Sequence, residues 1–146
     1  MAFGVGNYRP SGGTIKDILI ENNAATDIKA GDIVMCLASG FGYSGAVDDA
    51  DPETTGAVVF GVALEDANYA NGDRKVRCDI GGAEIKVTMT AGSQAQTDLG
   101  VQMFVDGAQA VDATGGVTDQ VAAGPISEIV SADVVWVKLK PYGVLS

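Results

Sequence analysis

From Ile15 onward the chain consists of short apolar runs broken by turn residues, a texture that predicts strands and not helices. Residues 15–21 read as a first strand, ended by the turn-prone pair Asn22-Asn23. Residues 32–38 read as a second, opened by Lys29-Ala30-Gly31 and closed by Ser39-Gly40. Residues 57–64 are almost continuously apolar, which predicts a central strand buried on both faces. The sharpest alternation lies mid-chain, where Val76, Cys78 and Ile80 interleave with Lys75, Arg77 and Asp79. After Gly81-Gly82, Ile85, Val87 and Met89 interleave with Glu84, Lys86, Thr88 and Thr90. Two period-2 runs around a Gly-Gly pair predict a β-hairpin with one apolar and one charged face.

Beyond it, residues 91–97 are polar and suit one helical turn, and residues 101–105, 108–111, 126–130 and 134–139 complete roughly nine strands. That count and spacing predict an all-β domain, a compact β-sandwich or barrel-like body of short antiparallel strands. In the last strand Trp136 is placed to anchor a core edge or cover a barrel mouth. A short internal echo is also legible. Gly31-Asp32-Ile33-Val34-Met35, with Gly61-Val62-Ala63, resembles Gly100-Val101-Gln102-Met103-Phe104, with Gly124-Pro125-Ile126. Two similar β-meanders on one core account for it, and so does chance in a chain rich in Gly and Val.

Residues 1–14 lack this texture. They hold four glycines and Pro10 without sustained apolar period, so they read as an extended, flexible N-terminal arm, with residues 15–146 as the single β domain. Phe3, Tyr8, Arg9 and Pro10 are the arm's candidate partner-binding residues. The two rings bury aromatic area at small rotamer cost, and the guanidinium offers a fork to a partner carboxylate. Docking on a neighbouring subunit and simple fraying both fit such a segment.

Composition narrows the function. No histidine occurs in the 146 residues, which removes the commonest general base and the commonest transition-metal ligand. A Ser-His-Asp triad is impossible, no Ser-Xaa-Xaa-Lys sequence replaces it, and no phosphate-binding GxxxxGK[ST] loop is present. Gly4-Val5-Gly6 has no strand before it and is not a dinucleotide fingerprint. An enzyme is therefore not expected, and neither are catalytic residues, cofactors or metal ligands.

Two acidic features bear on chemistry. Residues 48–53 carry Asp48, Asp49, Asp51 and Glu53, close enough to ligate calcium, but they lack the ordered spacing of an EF-hand and are interrupted by Pro52. They read as a solvated loop. Glu65 and Asp66, adjacent on a strand, point to opposite faces and suit a strand-end cap better than a shared substrate.

The net charge of −10 opposes binding to a phosphate backbone, so no direct nucleic-acid partner is expected. The same charge either keeps the protein dispersed or matches a basic partner surface. Cys36 and Cys78 lie far apart inside apolar runs and are expected as buried free thiols of a reducing compartment. No secretion signal and no apolar run of about 20 residues is evident, so synthesis in the cytoplasm and no membrane contact are expected.

Three segments carry a family resemblance: Ile28-Lys29-Ala30-Gly31-Asp32-Ile33-Val34, Val59-Phe60-Gly61-Val62-Ala63-Leu64-Glu65-Asp66-Ala67 and Val134-Val135-Trp136-Val137-Lys138-Leu139. With Asp98-Leu99-Gly100-Val101-Gln102-Met103-Phe104-Val105 between the last two, their order resembles the capsid decoration, or cement, proteins of tailed bacteriophages, over about residues 15–140. The resemblance implies a virion protein made in the host cytoplasm that binds the outside of an expanded head and strengthens joints between major capsid protein subunits. It also implies a homo-oligomer, usually a trimer at three-fold positions, with N-terminal segments reaching onto the lattice. The arm here is richer in glycine than the Pro- and Thr-rich arms of that family. A phage tail or fibre component and a glycan-binding module are the alternatives, the latter drawing on Tyr43, Tyr69, Trp136 and Tyr142.

Overall fold

The computed structural model describes residues 7–20, 27–37, 40–44, 58–89, 95–112 and 121–142, and among them the chain is all-β. Its first half contributes β1 (Tyr8–Arg9), β2 (Ile15–Leu19), β3 (Asp27–Ile28), β4 (Ile33–Cys36), β5 (Gly42–Ser44), β6 (Val58–Ala63), β7 (Ala67–Asn68) and β8 (Lys75–Asp79). The second half contributes β9 (Glu84–Met89), β10 (Gln102–Gly107), β11 (Ala110–Asp112), β12 (Ala122–Ile129) and β13 (Val134–Lys138). Every run predicted as a strand is one. The four unpredicted strands, β1, β3, β5 and β7, have two or three residues each, too few to show a period. A 3-10 turn at Gln96–Asp98 occupies part of the predicted helical stretch.

Strands β9, β13, β12, β10 and β11 follow one another around a ring, and β11 returns to β9 to close a five-stranded barrel. Closure is made by a parallel pair, Ala110 beside Thr88 and Val111 beside Met89, where an antiparallel sheet was expected throughout. The other sheet runs β2-β8-β6-β4-β5, and β3 pairs with β7 as a separate ribbon.

The two orders, β2-β8-β6-β4-β5 and β9-β13-β12-β10-β11, are the same order drawn twice. Hydrogen bonds repeat with it. The Gly31 N–H donates to the Ala63 carbonyl at 2.8 Å and the Gly100 N–H to that of Ile126 at 2.9 Å. Ile80 donates to Thr14 at 2.9 Å and Leu139 to Ala83 at 2.9 Å. The register slips at the corresponding place in each half, between Val34 and Met35 opposite Gly61 and between Met103 and Phe104 opposite Gly124. At both bulges only glycine fits, because a Cβ would lie 2.3 Å from the Asp79 carbonyl oxygen at Gly61 and 2.0 Å from that of Lys138 at Gly124. The sequence echo thus marks a structural duplication.

Gly81-Gly82 does not close a hairpin. Strand β8 pairs with β2 and β6, whereas β9 pairs with β13, β11 and β1, so the glycine pair carries the chain from one half into the other. Gly81 passes so near the N-terminal segment that a Cβ would lie 2.6 Å from Ser11 Oγ, and Gly82 has a φ of +93°. The alternation did identify the buried positions. Val76, Cys78 and Ile80 pack with Ile18, Ile28, Val34 and Phe60 in one core, and Ile85, Val87 and Met89 pack with Met103, Val111, Ile126 and Val135 in another. Period 2 reports which face is covered, and it carries no information on which strand lies alongside.

Strands β4 and β6 form the wall between the cores. Val34 and Cys36 face one core while Ile33 and Met35 face the other, so β4 is buried along its whole length. On β6, Phe60 and Ala63 face the first core and Val59 and Val62 the second, the bulge breaking strict alternation. This explains the unbroken apolar run and its central place.

Candidate interface at the N-terminal strand

The described part of the leading segment is not a loose arm. Tyr8 pairs with Ile85 and Arg9 with Glu84, adding β1 to the outer edge of β9, and the Lys86 N–H donates to the Asn7 carbonyl at 3.0 Å. Backbone pairing alone would hold two residues weakly, so side chains must fix the strand. The Asp79 carboxylate does this. Its Oδ2 accepts the Tyr8 hydroxyl at 2.6 Å and the Ser11 N–H at 3.0 Å, while Oδ1 accepts the Ser11 hydroxyl at 2.6 Å and the Gly81 N–H at 3.1 Å.

Asp79 is buried, with 1% of its surface exposed. Burial works to raise its pKa, but the hydrogen bonds from Ser11, Tyr8 and Gly81 outweigh it and hold the carboxyl below its ordinary value of 3.8. Burial, reinforced by the hydrogen bond to the Asp79 charge, pushes the Tyr8 phenol well above its ordinary range. One carboxylate therefore ties the N-terminal strand, the crossover glycines and the end of β8 together.

Arg9 lies over Trp136, its guanidinium carbon 3.8 Å from the ring centroid, and reaches Glu128 at 3.1 Å and Glu84 at 3.6 Å. Ser127 donates to Glu84 at 2.7 Å and completes the group. The fork expected to meet a partner carboxylate thus meets two within the chain. Trp136 belongs to neither core: its neighbours Val135 and Val137 face the barrel interior, and the Arg9 guanidinium covers its ring. Pro10 is exposed, and Phe3 lies outside the described residues. Sequence reasoning placed weight on Tyr8 and Arg9 but missed Asp79 and Ser11. Asp79 falls on the charged side of its alternating run, with Lys75 and Arg77, so the alternation held no signal of its burial.

Elsewhere the acidic expectations resolve into structure. Glu65 accepts the Arg77 N–H at 3.1 Å and Asp66 the Ala30 N–H at 2.8 Å, so both serve strand ends. Residues 48–53 lie outside the described residues. No cluster of three or more metal-ligating side chains occurs among the described residues. Both cysteines are free and buried, and burial, assisted by nearby Asp17 and Glu65, pushes the Cys78 thiol up to about 12. The four aromatics considered for glycan binding each have a place in the fold: Tyr43 is buried, Tyr69 lies under Arg74, Tyr142 packs on Phe60 and Trp136 lies under Arg9. No helix among the described residues is long and apolar enough to cross a membrane.

Against known proteins, the chain matches no family model, no curated protein and no solved structure.

Proposed function

We propose that this chain is a structural protein of a tailed-phage virion, a homo-oligomer that binds the outside of the head and clasps neighbouring major capsid protein subunits. The role is mechanical and not catalytic. The observation that carries the reading is the resemblance of the segments around Gly31, Gly61 and Trp136 to capsid decoration proteins. Those segments form β4, β6 and β13, the walls of the two cores, so the likeness falls on the framework of the fold. A head-binding clamp needs a stiff body, and a doubled β unit with a tied-down leading strand supplies one. Tyr8 and Arg9 are tied to the body through Asp79, Trp136, Glu84 and Glu128, and Phe3 and Pro10 are assigned to shell contact.

The test is to mix purified protein with bare expanded heads and compare their resistance to heat, using the full chain and a chain lacking residues 1–6. Decorated heads should survive hotter treatment. Failure of the full chain to bind removes the proposal, and unchanged binding by the shortened chain removes only the role of the leading segment.

A further inference from the structure

The duplication exposes an asymmetry between the halves. In the second half the outer edge of β9 is covered along its length: the Lys86 N–H donates to the Asn7 carbonyl of β1's segment at 3.0 Å, and the Thr88 N–H to the Gln109 carbonyl at 3.1 Å. In the first half the counterpart of β9 is β2, which ends its sheet and has no strand on its outer edge among the described residues.

Which backbone groups face that edge follows from the ladder. In an antiparallel pair, alternate residues bond the partner strand and the rest point away. Ile80 donates to Thr14 and Ile20 donates to Arg74, so Thr14, Lys16, Ile18 and Ile20 bond β8. The N–H and C=O groups of Ile15, Asp17 and Leu19 therefore point outward. The same residues carry exposed apolar side chains, Ile15 at 48% and Leu19 at 58% of full exposure. A strand edge with unpaired groups and apolar side chains is a template for another strand.

We infer that this edge joins two copies of the chain, β2 pairing antiparallel with β2 of a second copy across a two-fold axis at Asp17. Ile15 then lies opposite Leu19 of the second copy, and Leu19 opposite its Ile15, so both exposed side chains are covered twice over by one contact. The two Asp17 carboxylates approach, but each is bracketed by Lys75 at 3.3 Å and Arg77 at 3.6 Å, which puts four cations around two anions. These ion pairs offset the repulsion that two carboxylates on a chain of net charge −10 would bring to self-association here. The chain already accepts an antiparallel strand on the corresponding edge of β9. The inference stands without the capsid reading, and a two-fold contact differs from the trimer that the resemblance implies.

Sedimentation of the full chain from micromolar to millimolar concentration tests it, together with hydrogen exchange read residue by residue. The expected result is a monomer–dimer equilibrium in which the amides of Ile15, Asp17 and Leu19 gain protection with concentration while those of Lys16 and Ile18 stay protected throughout. Asp17→Pro removes an outward N–H without touching the β8 ladder, and Leu19→Lys adds a charge to each side of the contact. Each variant should weaken dimerisation at least tenfold and keep the wild-type unfolding midpoint when monomeric. A monomer at every concentration, a trimer, or a dimer whose three outward amides exchange at the monomer rate would each overturn the inference, and the last two readings need no variant.

Discussion

Replacing Asp79 tests the central structural argument, because this one carboxylate accepts four hydrogen bonds from three separate places in the chain. Hydrogen bonds to a charged group contribute about 1.5–3 kcal/mol each, but four on one carboxylate are not additive, and water can reach the half-buried Ser11 and Tyr8 once the acceptor is gone. Asp79→Ala should therefore cost about 3 kcal/mol in total, which corresponds to a fall of about 6–12 °C in the unfolding midpoint of a chain this size. Asp79→Asn keeps the shape and part of the accepting capacity, and should lose about half as much.

The pH dependence has a defined sign. Asp79 titrates lower in the fold than its ordinary 3.8, so its contribution is complete above that pH and is lost as pH falls through the folded value. The gap between wild type and Asp79→Asn should narrow below pH 3.8. At the other end Tyr8 titrates above its ordinary 10.0, so its contribution is complete below pH 10 and fades as pH rises beyond it. Urea unfolding at neutral pH and at pH 3, with exchange rates for the Tyr8 and Arg9 amides, provides the readout. An Asp79→Ala protein within about 0.5 kcal/mol of wild type would refute the claim that this carboxylate holds the leading strand.

Three further outcomes follow from the geometry. Arg9→Ala should cost about 1 kcal/mol, from one cation–π contact and two half-exposed ion pairs, and Arg9→Lys should recover less than half because a single ammonium cannot serve the ring and both carboxylates; thermal unfolding of the two variants checks this. Gly61→Ala and Gly124→Ala should each lose about 3 kcal/mol or more in urea titrations, since the new Cβ meets backbone, whereas Gly72→Ala, which meets open space at a φ of +101°, should lose about 1 kcal/mol; near-equal losses at the three sites would contradict the packing account. Cys78, fully buried with its thiol pushed up to about 12, should react with a thiol reagent only as fast as the protein opens, so labelling at pH 8 should accelerate in step with urea, and prompt labelling of the native protein would count against its burial.

Alternation along the chain determined the longer strands and most of the buried apolar positions. Nine strand-forming runs, the doubly buried run at residues 57–64 and the inward sets Val76, Cys78, Ile80 and Ile85, Val87, Met89 were all readable, because burial of one face of a strand is a property of local spacing. Tertiary structure alone decided how those strands are shared between two cores. Gly81-Gly82 looks like a tight turn in sequence and acts as a crossover in space, since partner choice depends on contacts between residues far apart in the chain. The same holds for the leading segment. Its glycines suggested freedom, yet Tyr8 and Ser11 find an acceptor some seventy positions away in Asp79, a pairing that no local pattern encodes. The halves also share an order of strands that the sequence announces only through Gly31, Gly61, Gly100 and Gly124, because Gly61 and Gly124 leave no room for a Cβ and Gly31 and Gly100 adopt positive φ, while elsewhere many apolar side chains fill the same core.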